Sequence, residues 1–182
     1  MRKLGVPIPA AAWDLDGHDR SATGGNRLMV RRCSWSDGPR NSSRALVLGA
    51  GCHVHAPSCP SLSVGSGPLS ICARFRSRVP GARLLSKFSN SAVSAVGFGI
   101  DLGETHGLGI DLADWLGVSA HVELGRSVLT DGQWHHACAI LHRRVPASIV
   151  LFVDGVHDER LMLDAAGLRC VVSARTPTVI AP

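Results

Sequence analysis

The sequence predicts an all-β domain, a sandwich or a barrel, on three observations. Short apolar stretches alternate their residues with the two-residue period of a strand. Clusters of Gly, Pro, Ser, Asn and Asp separate them, and the 20 Gly and 10 Pro suit many short elements joined by tight turns. Helical periodicity is nearly absent, apart from a short stretch in "GIDLADWLG" (109–117).

Taken in chain order, "AAWDLD" (11–16) alternates with Trp13 and Leu15 on one face. Residues 17–43 are polar and rich in turn formers, so they read as a long surface excursion with one short strand at 28–33. "RALVLG" (44–49) is short and apolar. "PLSICARFRS" (68–77) places Leu69, Ile71, Ala73 and Phe75 on one side, and Ser70, Cys72, Arg74 and Arg76 on the other. Further strands follow at 82–89, 96–102, 107–112, 119–124, 134–142 and 148–155. "GFGIDLG" and "GLGIDL" resemble one another, and they read best as two consecutive antiparallel strands with similar demands. No solenoid period extends beyond them.

The 182 residues suit one domain at 11–182 behind an N-terminal extension at 1–10. Hydrophobic residues make up 45% and charged residues 18%, a globular balance. The formal charge of +5 comes from scattered residues; Arg31-Arg32 and Arg143-Arg144 are only pairs. A basic groove with interleaved aromatics is missing, so no nucleic-acid partner is expected. No apolar run approaches the ~20 residues of a membrane-spanning helix. Pro7 and Pro9 interrupt the N-terminal apolar run, which therefore does not read as a secretory signal. The six cysteines (33, 52, 59, 72, 138 and 170) leave the redox compartment open.

"DGQWHHACAILHRR" (131–144) concentrates histidines in an alternating run. On a strand, Trp134, His136, Cys138, Ile140 and His142 share one face, and His135, Ala137, Ala139 and Leu141 the other. Adjacent His135 and His136 therefore cannot bind one metal without distorting the strand, and His136 and His142 are too far apart to share one. The expectation is that Trp134 and one histidine plug the sandwich, with imidazole N–H groups satisfying loop carbonyls.

At this point several segments resemble a known family. "LSICARFRS", "ARLLSKFS", "GFGIDL", "LTDGQWHHACAIL" and "IVLFVDGV" look like a laminin G-like or pentraxin-like domain of the concanavalin A-like superfamily. "DGQWHHACAI" is similar to the family's turn followed by a Trp-His strand, "LFVDGV" to the next strand and its Asp-Gly turn, and "AWDLDGHDRSATGGN" to its opening. The resemblance spans about residues 11–180 and implies a two-sheet antiparallel jelly-roll sandwich. From the pentraxin branch it also implies that Cys72 and Cys138 pair, with Cα atoms roughly 4.4–6.8 Å apart. "TPTVIAP" looks like the strand before the family's closing strand. The closing strand itself is not found, which predicts an open sheet edge able to borrow a strand from a partner in an oligomer. No acidic residue follows Asp164, so the pentraxin-type double calcium site is not carried over.

Candidate chemical sites are few. "CHVHAPSC" (52–59) places His53 and His55 on one strand face, a spacing zinc sites use, with Cys33 or Cys170 as further ligands. The other reading is two exposed histidines beside a Cys52–Cys59 bridge or free thiols. Asp14, Asp16 and Asp19 resemble an incomplete calcium loop and make calcium the candidate cofactor. Asp16 also matches a turn-forming Asp of the family. Asp101, Glu104, Asp111 and Asp114 form a second acidic group beside Trp115, whose ring could stack on a sugar. Catalytic motifs are missing: Glu104, Glu123 and Glu159 do not form the Glu-x-Asp-x-Glu strand of related glucanases, and no nucleophile elbow or phosphate loop appears. Asn41-Ser42-Ser43 is an acceptor for glycosylation only on a eukaryotic secretory route.

The expected function is therefore a noncatalytic module that binds a carbohydrate or protein ligand, part of a larger extracellular or cell-surface polypeptide. The competing expectations are an accessory domain of a secreted glycosidase or sulfatase, and a structural subunit completed by a partner's strand.

Overall fold

The computed structural model describes residues 11–17, 21–23, 27–57, 62, 67–88, 96–105, 107–113, 119–142, 147–163 and 178–180. The strands are β1 (Ala12–Trp13), β2 (Ser21–Thr23), β3 (Met29–Arg31), β4 (Ser34–Asp37), β5 (Arg44–Val47), β6 (His53–Ala56), β7 (Leu69–Arg76) and β8 (Arg83–Phe88). They continue as β9 (Gly97–Leu102), β10 (Leu108–Ala113), β11 (Ser119–Leu124), β12 (Trp134–His142), β13 (Ser148–Val153), β14 (Val156–Met162) and β15 (Thr178–Ile180). A seven-stranded antiparallel sheet runs β11-β10-β9-β8-β15-β6-β3, and a four-stranded one runs β14-β13-β12-β7. Two ribbons, β1-β2 and β4-β5, complete the described structure. The fold is an all-β sandwich of the jelly-roll type.

The alternation read from the sequence decides which faces meet. Phe75, Ala137, Ala139, Leu141, Ile149, Leu151 and Val153 come from the smaller sheet. They pack against Phe98, Ile100, Leu102, Leu108, Ile110, Leu112 and Leu124 of the larger. Each fully buried Leu, Ile or Phe contributes roughly 1.5–3 kcal/mol relative to exposure, so this interleaved layer is the main cohesive force between the sheets. A small gap remains among Leu69, Ile71, Ile110, Leu112, Ala139, Leu141 and Ile149. It is entirely apolar and is packing space rather than a ligand cavity. A second cluster, Leu28, Cys52, Val54 and Ala56, lies at the β3–β6 end of the larger sheet, with Trp13, Leu46 and Leu62 against it.

Turn chemistry fixes the β13–β14 hairpin. Asp154 (φ 50°) and Gly155 (φ 83°) both adopt the left-handed backbone, as the two-residue Asp-Gly hairpin turn requires.

Three expectations are corrected. The helical stretch at 109–117 is strand β10 as far as Ala113, because Ile110 and Leu112 pair with β9 across an antiparallel ladder; 114–117 lie outside the described residues. The excursion at 17–43 contains β2, β3 and β4, not one strand; β3 gains its place by pairing with β6, and β4 with β5. Trp134 does not plug the sandwich. The parity that buries Ala137 and Leu141 turns Trp134 outward, where the Arg76 guanidinium lies 5.1 Å from its ring centre. The strand in "TPTVIAP" is β15, which pairs with both β6 and β8. Among the described residues, the sheet edges are instead β3, β11, β7 and β14.

Candidate functional site

The near-repeat G-x-G-I-D-L builds the most chemically dense part of the molecule. β9 and β10 pair about Ile100 opposite Ile110, which sets Asp101 opposite Gly109 and Asp111 opposite Gly99. Ile100 and Ile110 turn to the core, so both aspartates turn to the outer face. Each carboxylate thus has a glycine as its cross-strand neighbour. A Cβ at Gly109 would overlap the Asp101 carboxylate, and one at Gly99 would overlap the Arg83 guanidinium, so the bare positions let charged side chains lie flat on the sheet.

Neighbouring strands supply the counter-charges. Arg83 on β8 is opposite Asp101, and its Nη1 lies 3.3 Å from Asp101 Oδ2 while donating to Asp111 Oδ2. His121 on β11 is opposite Asp111, with Nδ1 2.6 Å from Asp111 Oδ1. The row has a buried carboxylate and an open imidazole. The side chain of Asp101 is 10% exposed, Asp111 19%, Arg83 34% and His121 55%. Burial raises the Asp101 pKa above the usual carboxylate range; Arg83 opposes the shift and the neighbouring Asp111 adds to it. Burial pushes Asp111 up too, but hydrogen bonds from Arg83 and His121 outweigh it and hold Asp111 below its ordinary value.

Next to this row, Glu123 on β11 accepts hydrogen bonds from the Thr105 backbone N–H (2.7 Å) and hydroxyl, which lower its pKa and fasten the β9–β10 turn. Glu104 sits exposed in that turn, close to Gly81. The candidates Asp114 and Trp115 lie outside the described residues. Of the predicted acidic group, Asp101 and Asp111 are therefore brought together. Sequence reasoning missed Arg83, His121 and Glu123. The available signal was strand parity extended to the flanking strands, but a register shift between Arg83 and Leu85 breaks that parity on β8.

Metal fits this row poorly. Ligand atoms of Asp101, Asp111 and His121 lie within 4.8 Å of one another, yet the Arg83 guanidinium already supplies the cation between the carboxylates. Two carboxylates also give few oxygens for calcium, which takes about 6–8. The residues predicted as metal ligands are Asp14, Asp16, Asp19, His53 and His55. Asp14 is exposed, Asp16 accepts the Arg44 backbone N–H as a turn former would, and Asp19 lies outside the described residues. His53 and His55 share a face of β6, but Cys33 is not available to them. It is bonded to Cys52 with Cα atoms 4.7 Å apart, which also replaces the Cys52–Cys59 reading. The β3–β6 ladder brings the two segments together, and Cys59 and Cys170 are outside the described residues.

The histidine run resolves by parity. His135 points inward beside Phe75 and bridges two turns, with Nε2 3.0 Å from Asp131 Oδ1 and Nδ1 2.9 Å from Asp154 Oδ2. Its partners are carboxylates, not the loop carbonyls expected, because each Asp-Gly turn presents its aspartate at the strand end. The same aspartates accept the backbone N–H groups of Gln133 (2.7 Å) and His136 (2.8 Å). Burial alone would lower the His135 pKa; hydrogen bonds to Asp154 and Asp131 outweigh it and raise the value. His136 points outward with Cys138. Cys138 is directly opposite Cys72, and the two form a disulfide with Cα atoms 4.1 Å apart. That is just under the expected range, near the ~4.5 Å of close pairs in an antiparallel ladder.

Comparison with solved structures gives the same architecture. The chain is similar to the binding domain of Paraclostridial Mosquitocidal Protein 1, with a TM-score of 0.71 and 14% identity over 89% of this chain and 41% of that one. It is similar to the Botulinum neurotoxin serotype G binding domain, with a TM-score of 0.67 and 12% identity over 88% and 40%. A third similar structure is the binding domain of Botulinum neurotoxin DC in complex with rat synaptotagmin II, at 0.62 and 12% over 95% and 44%. The chain spans about two fifths of the length of these neighbours. No family model and no curated protein matches it. At these identities the likeness establishes the fold.

Proposed function

We propose that this chain is a noncatalytic binding module of the laminin G-like kind, taking a carbohydrate ligand on the outer face of β8–β11. The observation that carries the reading is the row Asp101–Arg83–Asp111–His121, which ends in an exposed imidazole. Donors and acceptors alternate along it, and neighbouring hydroxyls of a sugar, each both donor and acceptor, complement such a row. The glycines keep the face low, so a flat ligand can approach.

The split in pKa between Asp101 and Asp111 has the sign of an acid–base pair. Glycoside hydrolysis, however, needs carboxyl groups at least ~5 Å apart with the scissile bond between them. Here the two carboxyl groups are close enough to share a hydrogen bond, Arg83 contacts both and Asp101 is buried. The reading is therefore recognition without turnover. Two disulfides suit an extracellular or cell-surface setting. The neighbours' names as binding domains support a module within a larger polypeptide.

A protein ligand is the second reading, favoured by the neighbour solved with rat synaptotagmin II. Glycan-array binding of the purified chain, with and without calcium, separates the two. The carbohydrate reading expects a defined glycan class, retained without calcium, weakened in His121→Ala and lost in Trp115→Ala. An array blank in both conditions overturns it.

A further inference from the structure

The outer face of the four-stranded sheet carries a second cluster, independent of the proposed ligand face. Cys138 and His136 lie two residues apart on β12 and project to the same side, and Cys72 on β7 is directly opposite Cys138. His136 Nε2 is 3.8 Å from Cys138 Sγ. One ligand atom from each of the three residues falls within 4.8 Å of the other two. Cys72 and His136 are exposed and Cys138 half-buried, so the cluster opens to solvent.

We propose that the Cys72–Cys138 disulfide, when reduced, becomes with His136 a redox-gated site for a borderline-soft divalent cation, zinc above all. Tetrahedral zinc holds sulfur at about 2.3 Å and imidazole nitrogen at about 2.0–2.1 Å, which places neighbouring S and N ligand atoms ~3.5 Å apart. The observed His136–Cys138 spacing needs a small adjustment to meet that. Two thiolates and one neutral imidazole balance the charge of Zn²⁺, and the set is far softer than calcium accepts. The fourth position faces water. Backbone geometry holds the ligands in place. The β7–β12 register fixes Cys72 against Cys138, and the His136 backbone N–H is held by Asp154 Oδ1 at 2.8 Å.

The chemistry balances with a dithiol as reductant. One dithiol loses two electrons and two protons and closes to its own disulfide; Cys72 and Cys138 gain both and become thiols. Zinc binding then displaces the two thiol protons to water. The dithiol's own disulfide reverses the sequence: it takes two electrons from the Cys72 and Cys138 thiolates and two protons from water, and the re-formed Cys72–Cys138 disulfide, a poor ligand, releases the metal. The sheet face thus alternates between a covalent cross-link and a metal cross-link joining the same two strands.

The test is zinc uptake by the full chain, by equilibrium dialysis, oxidised and after dithiol reduction, with cobalt(II) absorption reporting tetrahedral thiolate ligation. The comparison protein is the Cys72→Ser/Cys138→Ser double variant, which retains the other four cysteines. The expected result is one zinc more per chain in the reduced protein than in the reduced double variant, and no such difference when both are oxidised. His136→Ala should weaken that zinc by at least ~100-fold, because losing a direct ligand costs no less than the ~10–100-fold that follows loss of an outer contact supporting one. Equal uptake by reduced wild type and double variant overturns the proposal. So does unaltered affinity in His136→Ala, and so does a reduced chain that unfolds and is not refolded by zinc.

Discussion

Two hydrogen-bonded triads in this molecule are mirror images in composition. On one, a histidine lies between two carboxylates: His135 between Asp131 and Asp154. On the other, a carboxylate lies between two nitrogen-bearing side chains: Asp111 between the Arg83 guanidinium and the His121 imidazole. The first closes on itself. Both ring nitrogens of His135 are used, its carboxylates also hold the backbone of Gln133 and His136, and the side chain is 13% exposed. The second ends in His121, which is 55% exposed. The difference separates fastening from presenting. A triad saturated by its own turns holds strands together, and one with a solvated end can exchange partners.

Removing the guanidinium of the presenting triad should have the largest effect on stability. Arg83→Met leaves the buried Asp101 beside Asp111 without compensation. Breaking a buried pair costs about 3–5 kcal/mol; because Arg83 is a third exposed, about 2 kcal/mol is expected in urea unfolding. Adding Asp101→Asn should recover at least half. A loss no greater than that of an ordinary surface change would reduce the row to decoration and break the comparison.

His135→Leu tests the fastening triad. It keeps an apolar contact for Phe75 but removes two charge-assisted hydrogen bonds, and about 1.5 kcal/mol is expected. Amide exchange should accelerate at Gln133 and His136, whose N–H acceptors lose their anchor, while β9 and β10 stay protected. Equal acceleration in both regions would show that the triads act as one unit.

These two triads were unequally legible in the sequence. The alternation of Leu69, Ile71, Ala73 and Phe75 gave the inner face of β7 directly, because one residue of slip would have exposed all four. The same parity separated His135 from His136. The Cys72–Cys138 pair came from family likeness, since strand pattern alone does not choose partners among six cysteines. The partner of Asp101 was not legible. Arg83 reaches it through a register shift on β8, and register between strands is settled by packing rather than by local pattern. Cys33 was missed for a related reason. It lies just beyond β3, a three-residue strand within a polar segment whose pairing with β6 leaves no periodic trace.

Acidity should distinguish the triads next, through opposite linkage signs. The folded His135 pKa is above its unfolded value near 6.5, so its stabilisation is complete below that pH and is lost as pH rises through the folded pKa. Asp131 and Asp154 are depressed in the folded state, chiefly by hydrogen bonds from Gln133 and His135 respectively. Their contribution is present above the ordinary ~3.8 and fades as pH falls through the folded values. The fastening triad is therefore strongest between roughly pH 4 and 6.5. In the presenting triad the signs oppose. Asp111 loses stabilisation on acidification, while Asp101, raised by burial, is relieved of a cost on protonation. A pH series of unfolding free energies should show an alkaline decline that His135→Leu abolishes. Persistence of that decline in the variant would assign it elsewhere.

The smallest effect asked for is also the most local. Asp131→Asn and Asp154→Asn each remove one charge from His135 and leave an amide oxygen in its place. Asn tolerates the left-handed backbone, so the turn at 154 should survive. Asp154 makes the stronger of the two hydrogen bonds that raise the His135 pKa. Followed by NMR titration of the ring, that pKa should fall in both variants and fall further in Asp154→Asn. Burial then acts against fewer opposing charges and draws the value toward or below the ordinary range. A fall confined to Asp131→Asn would make Asp131 the true partner, and the triad would be a simple pair at one turn. Equal falls would make the two turns interchangeable, and joining them would then rest on the β12–β13 ladder alone.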